Sequence, residues 1–186
     1  MGGRAKGLLP APDGRPIVER WVQLLESVGA DVVLVGAGDA YAHLGLERVE
    51  DDPPGIGPLG GLVALLRHAG AAPALAVACD MPHVSRALVE RLVEAPAAAP
   101  VVAPRRDGRW EPFFARYDAP RVLPVALARV AAGAHALQGL LDAAGAAELP
   151  VSAGEMRELG DWDSPADVRA SRGTRARRAA RRPAGG

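Results

Sequence analysis

Apolar positions change period several times along the chain, and each change marks an element. Ile17, Trp21, Leu24, Leu25 and Val28 recur at helical spacing between Pro16 and Gly29, which predicts an amphipathic helix with Pro16 at its first position. Asp31-Val-Val-Leu-Val-Gly36 reads as a β-branched, fully buried strand. A helix follows from about Pro58 to His68. Leu75-Ala-Val-Ala-Cys-Asp80 is then a second buried strand, a continuous apolar run that ends in a lone carboxylate before Met81-Pro82. Ser85 caps the next helix, in which Leu88, Leu92 and Val93 face inward and Arg86 pairs with Glu90 one turn on. Helices alternating with buried strands imply an α/β fold.

After this the pattern changes. Val101-Val-Ala-Pro-Arg and Trp110-Glu-Pro-Phe-Phe-Ala-Arg-Tyr117 flank Arg106-Asp-Gly108, a hairpin signal, so the sheet is expected to be mixed with an antiparallel pair at one side. Helices are predicted over about 120–132 and 136–144, with a short strand around 149–151. Ser164 and Pro165 read as the cap and first residue of a last element. From Arg169 no apolar period remains. The expected organisation is one domain over 1–168 and a disordered Arg/Ala-rich tail over 169–186, whose charges are better read as a solvated run than as a nucleic-acid contact. The fold class expected is a three-layer, Rossmann-like α/β sandwich with a mixed, mostly parallel sheet and an antiparallel hairpin.

Composition narrows the function classes. With 49% apolar and 24% charged residues over 186 positions, the chain can bury one full core and is not disordered. A formal net charge of zero gives no general attraction for nucleic acid or a membrane surface, so partner choice falls to a local site. One cysteine, Cys79, excludes an intrachain disulfide and a thiolate zinc cluster; it reads as a small core residue rather than a nucleophile. A cytoplasmic location is expected, with no membrane-length apolar stretch and no signal peptide. Lys6 is the only lysine in a chain rich in arginine.

Three separated features converge on one chemistry. Asp80 lies beyond the carboxyl end of a buried strand, where ligand sites of open α/β sheets form, although an Asp before Pro can also be a plain turn residue. Gly2-Gly3 with Lys6 suits a phosphate chain. Gly57-Pro58-Leu59-Gly60-Gly61 at a helix entrance lets backbone N–H groups approach a base or ribose, or it is simply a linker. Attack at the α-phosphorus of a nucleoside triphosphate needs such parts: a lysine and Mg²⁺ to neutralise charge, and a glycine cradle to hold the phosphates in line. Mg²⁺ accepts one or two carboxylates with phosphate oxygens and water, so one strand-end Asp is enough.

In these motifs the chain resembles the molybdenum cofactor guanylyltransferases of the wider nucleotidyltransferase-A superfamily, over roughly 1–168. Met1-Gly-Gly-Arg-Ala-Lys6-Gly-Leu-Leu9 is similar to the second half of the family's LAGGxSxRMGGxxKGLL loop, and Gly14-Arg-Pro-Ile-Val-Glu-Arg20 to its GkPLxxR region. Asp51 with Pro54-Gly-Ile-Gly-Pro-Leu-Gly-Gly61 matches an acidic residue before PGxGPLxG, Cys79-Asp80-Met81-Pro82 matches CDMP, and Glu111-Pro112 to Tyr117 matches EPxxAxY. Each is weak alone, but together and in register they are strong. The resemblance implies transfer of GMP from GTP to the terminal phosphate of Mo-molybdopterin, with release of pyrophosphate. It also implies site roles. Gly2, Gly3, Lys6, Asp51, Gly57, Pro58, Leu59, Gly60 and Asp80 would bind GTP, with Lys6 and Asp80 catalytic and Asp80 on Mg²⁺. Glu111, Asp161 and Asp163 would face the acceptor. Protein partners would be molybdoenzymes or cofactor-insertion proteins. The acceptor phosphate is already ionised, so no general base is needed, and His43, His68, His83 and His135 are read as surface or helix residues.

Two departures from the family pattern stand out. The opening strand and the LAGGxSxR half of the loop are missing, for which a mis-called start codon is the simplest account and a truncated, non-catalytic nucleotide-binding relative the alternative. Near the C-terminus the family's NxNTP is Asp161-Trp-Asp163-Ser-Pro165, which predicts a second Mg²⁺ contact at Asp163 or weaker acceptor binding. Within the same chemistry, a cytidylyltransferase using CTP remains the rival, since no hydrogen-bonding logic in the sequence selects guanine.

Overall fold

The amphipathic period of Ile17 to Leu25 produces α1 (Ile17–Ser27), which buries Ile17, Val18, Trp21 and Leu25. Pro16 sits just before the helix as its N-cap rather than at the first helical position. This computed structural model describes residues 5–36, 39–96 and 98–160. Gly2, Gly3, Asp161, Asp163, Ser164, Pro165 and the 169–186 segment lie outside the described residues.

Strands and helices alternate as the periodicity requires. After α1 come β1 (Val33–Val35), β2 (Glu47–Val49), α2 (Pro58–Ala69), β3 (Pro73–Val77) and α3 (Arg86–Glu94). The second half holds β4 (Val101–Ala103), β5 (Arg105–Arg106), β6 (Arg109–Trp110), β7 (Phe114–Asp118), α4 (Ala119–Ala131), α5 (Leu137–Ala143), β8 (Ala147–Glu148) and α6 (Ala153–Glu158). The Ser85 hydroxyl accepts from the Leu88 N–H at 3.3 Å, and Arg86 meets Glu90 at 2.7 Å, as the sequence predicts for α3.

The main sheet has the order β3-β7-β4-β8. β7 is antiparallel to both neighbours, with Val77 opposite Phe114 and Val101 opposite Tyr117, while β4 and β8 are parallel. The antiparallel strand therefore lies inside the sheet, not at one side as expected. Its sequence explains the place: Phe114, Ala115 and Tyr117 are all buried, and a strand apolar on both faces is stable only between neighbours. Three strands run one way and one the other, so most ladder bonds are antiparallel. The predicted hairpin is the separate β5-β6 ribbon turned by Asp107-Gly108. Trp110 pins it, donating its indole N–H to Asp142 at 2.7 Å while Arg105 stacks on its ring at 3.8 Å.

Alternate strand residues go to two separate cores. Ala74, Ala76, Val101, Ala103, Ala115 and Tyr117 pack with α2, α4 and α5. Leu75, Val77, Val102 and Phe114 pack with α1 and α3. This period-2 division puts helices on both faces of the sheet. β1 and β2 form their own parallel pair, and the strand expected over 31–36 to be fully buried is half-buried. The reason is that, among the described residues, β1 pairs on one edge alone.

Candidate active site

The carboxyl ends of β1 and β2, from the small parallel pair, and of β3, from the main sheet, gather at one rim. Gly36 follows β1, Asp51 follows β2 and Asp80 follows β3, and all three line one cavity of about 480 Å³. Gly57, Pro58 and Gly61 at the start of α2 line it too. Sequence-distant candidates thus meet where an open α/β sheet places its ligands.

Lys6 opens a short 3₁₀ turn, Lys6–Leu8, whose position is fixed from behind. The Gly7 N–H donates to the Tyr41 hydroxyl at 3.1 Å, and that hydroxyl lies 3.5 Å from Cys79 Sγ. A Cβ on Gly7 would stand 2.7 Å from the Tyr41 oxygen, so the close approach requires glycine. Because its oxygen accepts from Gly7, the Tyr41 hydroxyl proton is available to the sulfur. Burial, followed by the bond to Cys79, pushes the Tyr41 pKa up to about 12 and keeps that proton in place. This arrangement carries Lys6 to Asp80: Nζ is 3.3 Å from Oδ2, across 74 residues of chain. Both side chains remain partly solvent-exposed, Lys6 at 39% and Asp80 at 22%, so each can exchange its partner for a ligand.

Asp51 occupies a notch between two glycines. A Cβ on Gly36 would lie 2.5 Å from Asp51 Oδ1, and one on Gly61 would lie 3.1 Å away. Removing side chains there makes room for the carboxylate at the cavity wall. Gly60 has a different role, since its Cβ would meet the Pro53 carbonyl oxygen at 2.4 Å. Leu59 is fully buried in the core, so it offers a ligand its backbone and not its side chain. Gly57 and Pro58 stay exposed at the helix start, with Gly57 at φ 73°.

A second cavity, of about 230 Å³, adjoins Asp80 and is lined by Met81, Arg106, Glu111 and Phe113. Arg106 Nε and Glu111 Oε1 are 2.8 Å apart, and Arg106 also donates to the Leu159 carbonyl at 2.7 Å. Asp80 therefore stands between two cavities. It can act on what each holds.

Among the described residues, Asp80 is the carboxylate that lines both cavities and so the one best placed for a hard divalent cation. Among the described residues no three His, Cys, Asp or Glu side chains gather as a metal cage. One accessible carboxylate oxygen on a cavity wall is nevertheless what Mg²⁺ needs when phosphates and water fill its other positions. Cys79 is half-buried at this rim rather than in the core, because β3 ends at Val77 before reaching it. His43 lies 3.8 Å from Glu19 and His68 3.5 Å from Glu47, away from these motifs.

Tyr41 and Arg106 are the residues that the sequence reading passed over. Tyr41 is a lone aromatic between Asp39 and Leu44, a polar segment that forms a 3₁₀ helix; that isolation was its only signal. Arg106 carries no signal in the sequence beyond its place in the Arg106-Asp-Gly108 turn.

Residues 1–148 match the family described as MobA-like NTP transferase domain. The molybdenum cofactor guanylyltransferase of a Pseudomonas putida strain is 37% identical over 147 residues, which span 76% of this chain and 75% of the relative. That of Xanthomonas euvesicatoria is 33% identical over 165 residues, 88% of this chain and 83% of the relative. Among solved structures, the molybdopterin-guanine dinucleotide biosynthesis protein A of Archaeoglobus fulgidus superimposes with a TM-score of 0.71 at 22% identity, covering 92% of this chain and 91% of that one. The 2-C-methyl-D-erythritol 4-phosphate cytidylyltransferase of Thermus thermophilus gives 0.68 at 20% identity, covering 92% and 94%. At these identities the structural likeness is one of fold.

Proposed function

This chain belongs to the MobA-like NTP transferase domain family, and from that premise we propose that it moves GMP from GTP to the terminal phosphate of Mo-molybdopterin and releases pyrophosphate. The observation that carries this reading is that Asp80 lines both cavities and is met by Lys6 at 3.3 Å. The larger cavity takes the nucleotide and the smaller takes the acceptor.

Each residue then has a task. Lys6 leaves Asp80 for the triphosphate and offsets its negative charge. Asp51 and the exposed backbone N–H of Gly57 face the nucleoside, while Pro58, which has no N–H, shapes the turn; an aspartate can accept hydrogen bonds from guanine N–H groups. Asp80 would hold Mg²⁺, which when bound neutralises the phosphates and orients the pyrophosphate leaving group. Arg106, held by Glu111, presents a guanidinium to the acceptor phosphate in the smaller cavity. The acceptor oxygen attacks the α-phosphorus as the bond to pyrophosphate breaks, and no proton has to be removed first. Gly2 and Gly3 complete the phosphate loop in this reading, and Asp161 and Asp163 approach the acceptor side.

The test is transfer of label from GTP into the pterin product, with Mg²⁺ present. Transfer that falls at least ~100-fold in Asp80→Asn fits the assignment. Transfer from CTP in place of GTP, or full activity in Asp80→Asn, would overturn it.

A further inference from the structure

The chain that leads away from Asp80 is gripped at a single peptide group. Arg20 of α1 donates a guanidinium N–H to the Val84 carbonyl, and a carboxylate oxygen of Glu158, the last residue of α6, accepts the Ser85 N–H at 2.9 Å. That carbonyl and that N–H belong to one peptide unit, whose oxygen and hydrogen point opposite ways. A cation thus holds the negative end of the peptide dipole and an anion the positive end. Hydrogen bonds to ionised groups are about twice as strong as neutral ones, so this pair fixes the peptide plane firmly.

Little slack separates the grip from Asp80. Only Met81, Pro82 and His83 lie between Asp80 and Val84; Pro82 has a fixed φ, and Met81 and Val84 are buried in one core with Leu88 and Leu159. Ser85 is also the N-cap of α3, which anchors the far end of the loop.

The residue after Glu158 fastens a second wall of the smaller cavity. The Leu159 carbonyl accepts from Arg106 at 2.7 Å, and Leu159 itself is fully buried and lines that cavity with Asp80 and Arg106. Two adjacent residues at the end of α6 therefore hold the loop that carries Asp80 and the side chain of Arg106. α6 is a firm base for both, because Arg91 of α3 pairs with Glu155 and donates to the Pro150 carbonyl at 2.6 Å. Glu158 and Arg20 line neither cavity, so any effect of theirs on a ligand passes through these bonds.

We propose that Glu158 is a positioning residue: together with Arg20 it sets the loop that carries Asp80, and through Leu159 it keeps that loop in register with Arg106. Its kinetic consequence rests on the guanylyl-transfer reading; its structural consequence does not.

The experiment compares the full 186-residue chain with Glu158→Ala, Glu158→Gln, Arg20→Met and Ser152→Ala, well below their thermal midpoints. Two NMR signals are followed, the Asp80 carboxyl carbon, assigned with Asp80→Asn, and the Arg106 Nε, assigned with Arg106→Lys. Both should move in Glu158→Ala. Glu158→Gln keeps an oxygen that accepts from Ser85 and should leave both near their parent positions. Arg20→Met keeps an apolar stem but frees the Val84 carbonyl, and should move the Asp80 signal even if Glu158→Ala does not fold. Ser152→Ala weakens the start of α6 without touching the loop, and should move neither. In transfer assays, kcat should fall ~10-fold in Glu158→Ala while the KM for GTP rises less than ~3-fold, because Asp80 is shifted rather than removed; Glu158→Gln should restore most of the loss. A parent chain without transfer activity would sink the guanylyl-transfer reading and leave the NMR signals to decide the role of Glu158. Signals that stay in place in Glu158→Ala and Arg20→Met, or that move as far in Glu158→Gln or Ser152→Ala as in Glu158→Ala, would overturn that role. So would a parent kcat in Glu158→Ala.

Discussion

Tyr41 shows how one side chain can set the geometry of a cavity rim. Its hydroxyl joins the Lys6 turn to the end of β3, so Tyr41→Phe removes the acceptor for the Gly7 N–H and the partner of Cys79. Loss of one such bond should lower stability by about 1 kcal/mol, and a looser Lys6 should weaken GTP binding severalfold. Urea unfolding and nucleotide titration of the variant measure the two effects. Equal binding by Tyr41→Phe and the parent would mean that Lys6 is placed by other contacts.

His83 supplies a pH dependence at the same scale. Burial, followed by the nearby Arg20 charge, holds its pKa below the ordinary 6.5. The folded protein therefore prefers the neutral imidazole. The unfolded chain binds the proton more readily, so stability is lost as pH drops below about 6.5, and the loss is complete once pH is below the folded pKa. His83→Gln should be less sensitive to acid than the parent between pH 7 and 5 in urea midpoints. A parallel decline in both proteins would assign the effect elsewhere.

Elements show which glycines serve the fold and which serve the rim. Gly60 is needed for contact with the Pro53 carbonyl, so Gly60→Ala should destabilise the chain by ~1–3 kcal/mol, read as a lower thermal midpoint. α6 makes a capping box, in which Ser152 accepts from Glu155 N–H and Glu155 accepts from Ser152 N–H. Ser152→Ala should cost about 1 kcal/mol in the same assay. These bonds, with Arg91 beside it, hold the Glu155 pKa down to about 2. Its contribution is thus present above the ordinary 4.5 and lost as pH falls through about 2.

The same scale explains what could be read from the sequence. α1, α2 and α3 were legible because their apolar periods and stop signals are local properties. β2 was not, since Glu47, Arg48 and Val49 are half or fully exposed and lack any apolar period. Nor was the central place of β7, because strand order depends on pairing between distant segments. Lys6, Asp80 and Asp51 were legible through motif spacing, and the structure gathers them on one rim. Arg106 and Tyr41 matter through contacts 5 to 38 residues away in sequence, with Glu111 and Cys79, and carry no local pattern. The capping signature Ser152-x-x-Glu155 was present and went unread.

For the whole molecule, the governing fact is two cores divided by the β3-β7-β4-β8 sheet, with β1 and β2 paired apart from it. With net charge zero, attraction for an anionic ligand has to come from a local site and not from the surface as a whole. Among the described residues no helix is long and apolar enough to cross a membrane.

One titration bears most directly on the rim as a guanine nucleotide site: calorimetry of the intact chain with GTP and then with CTP, both in Mg²⁺, repeated with Asp80→Asn. GTP should bind, CTP should bind at least ~10-fold more weakly, and Asp80→Asn should lose at least ~10-fold for GTP, about 1.4 kcal/mol. Equal affinity for both nucleotides, or GTP binding that ignores Asp80, would contradict it.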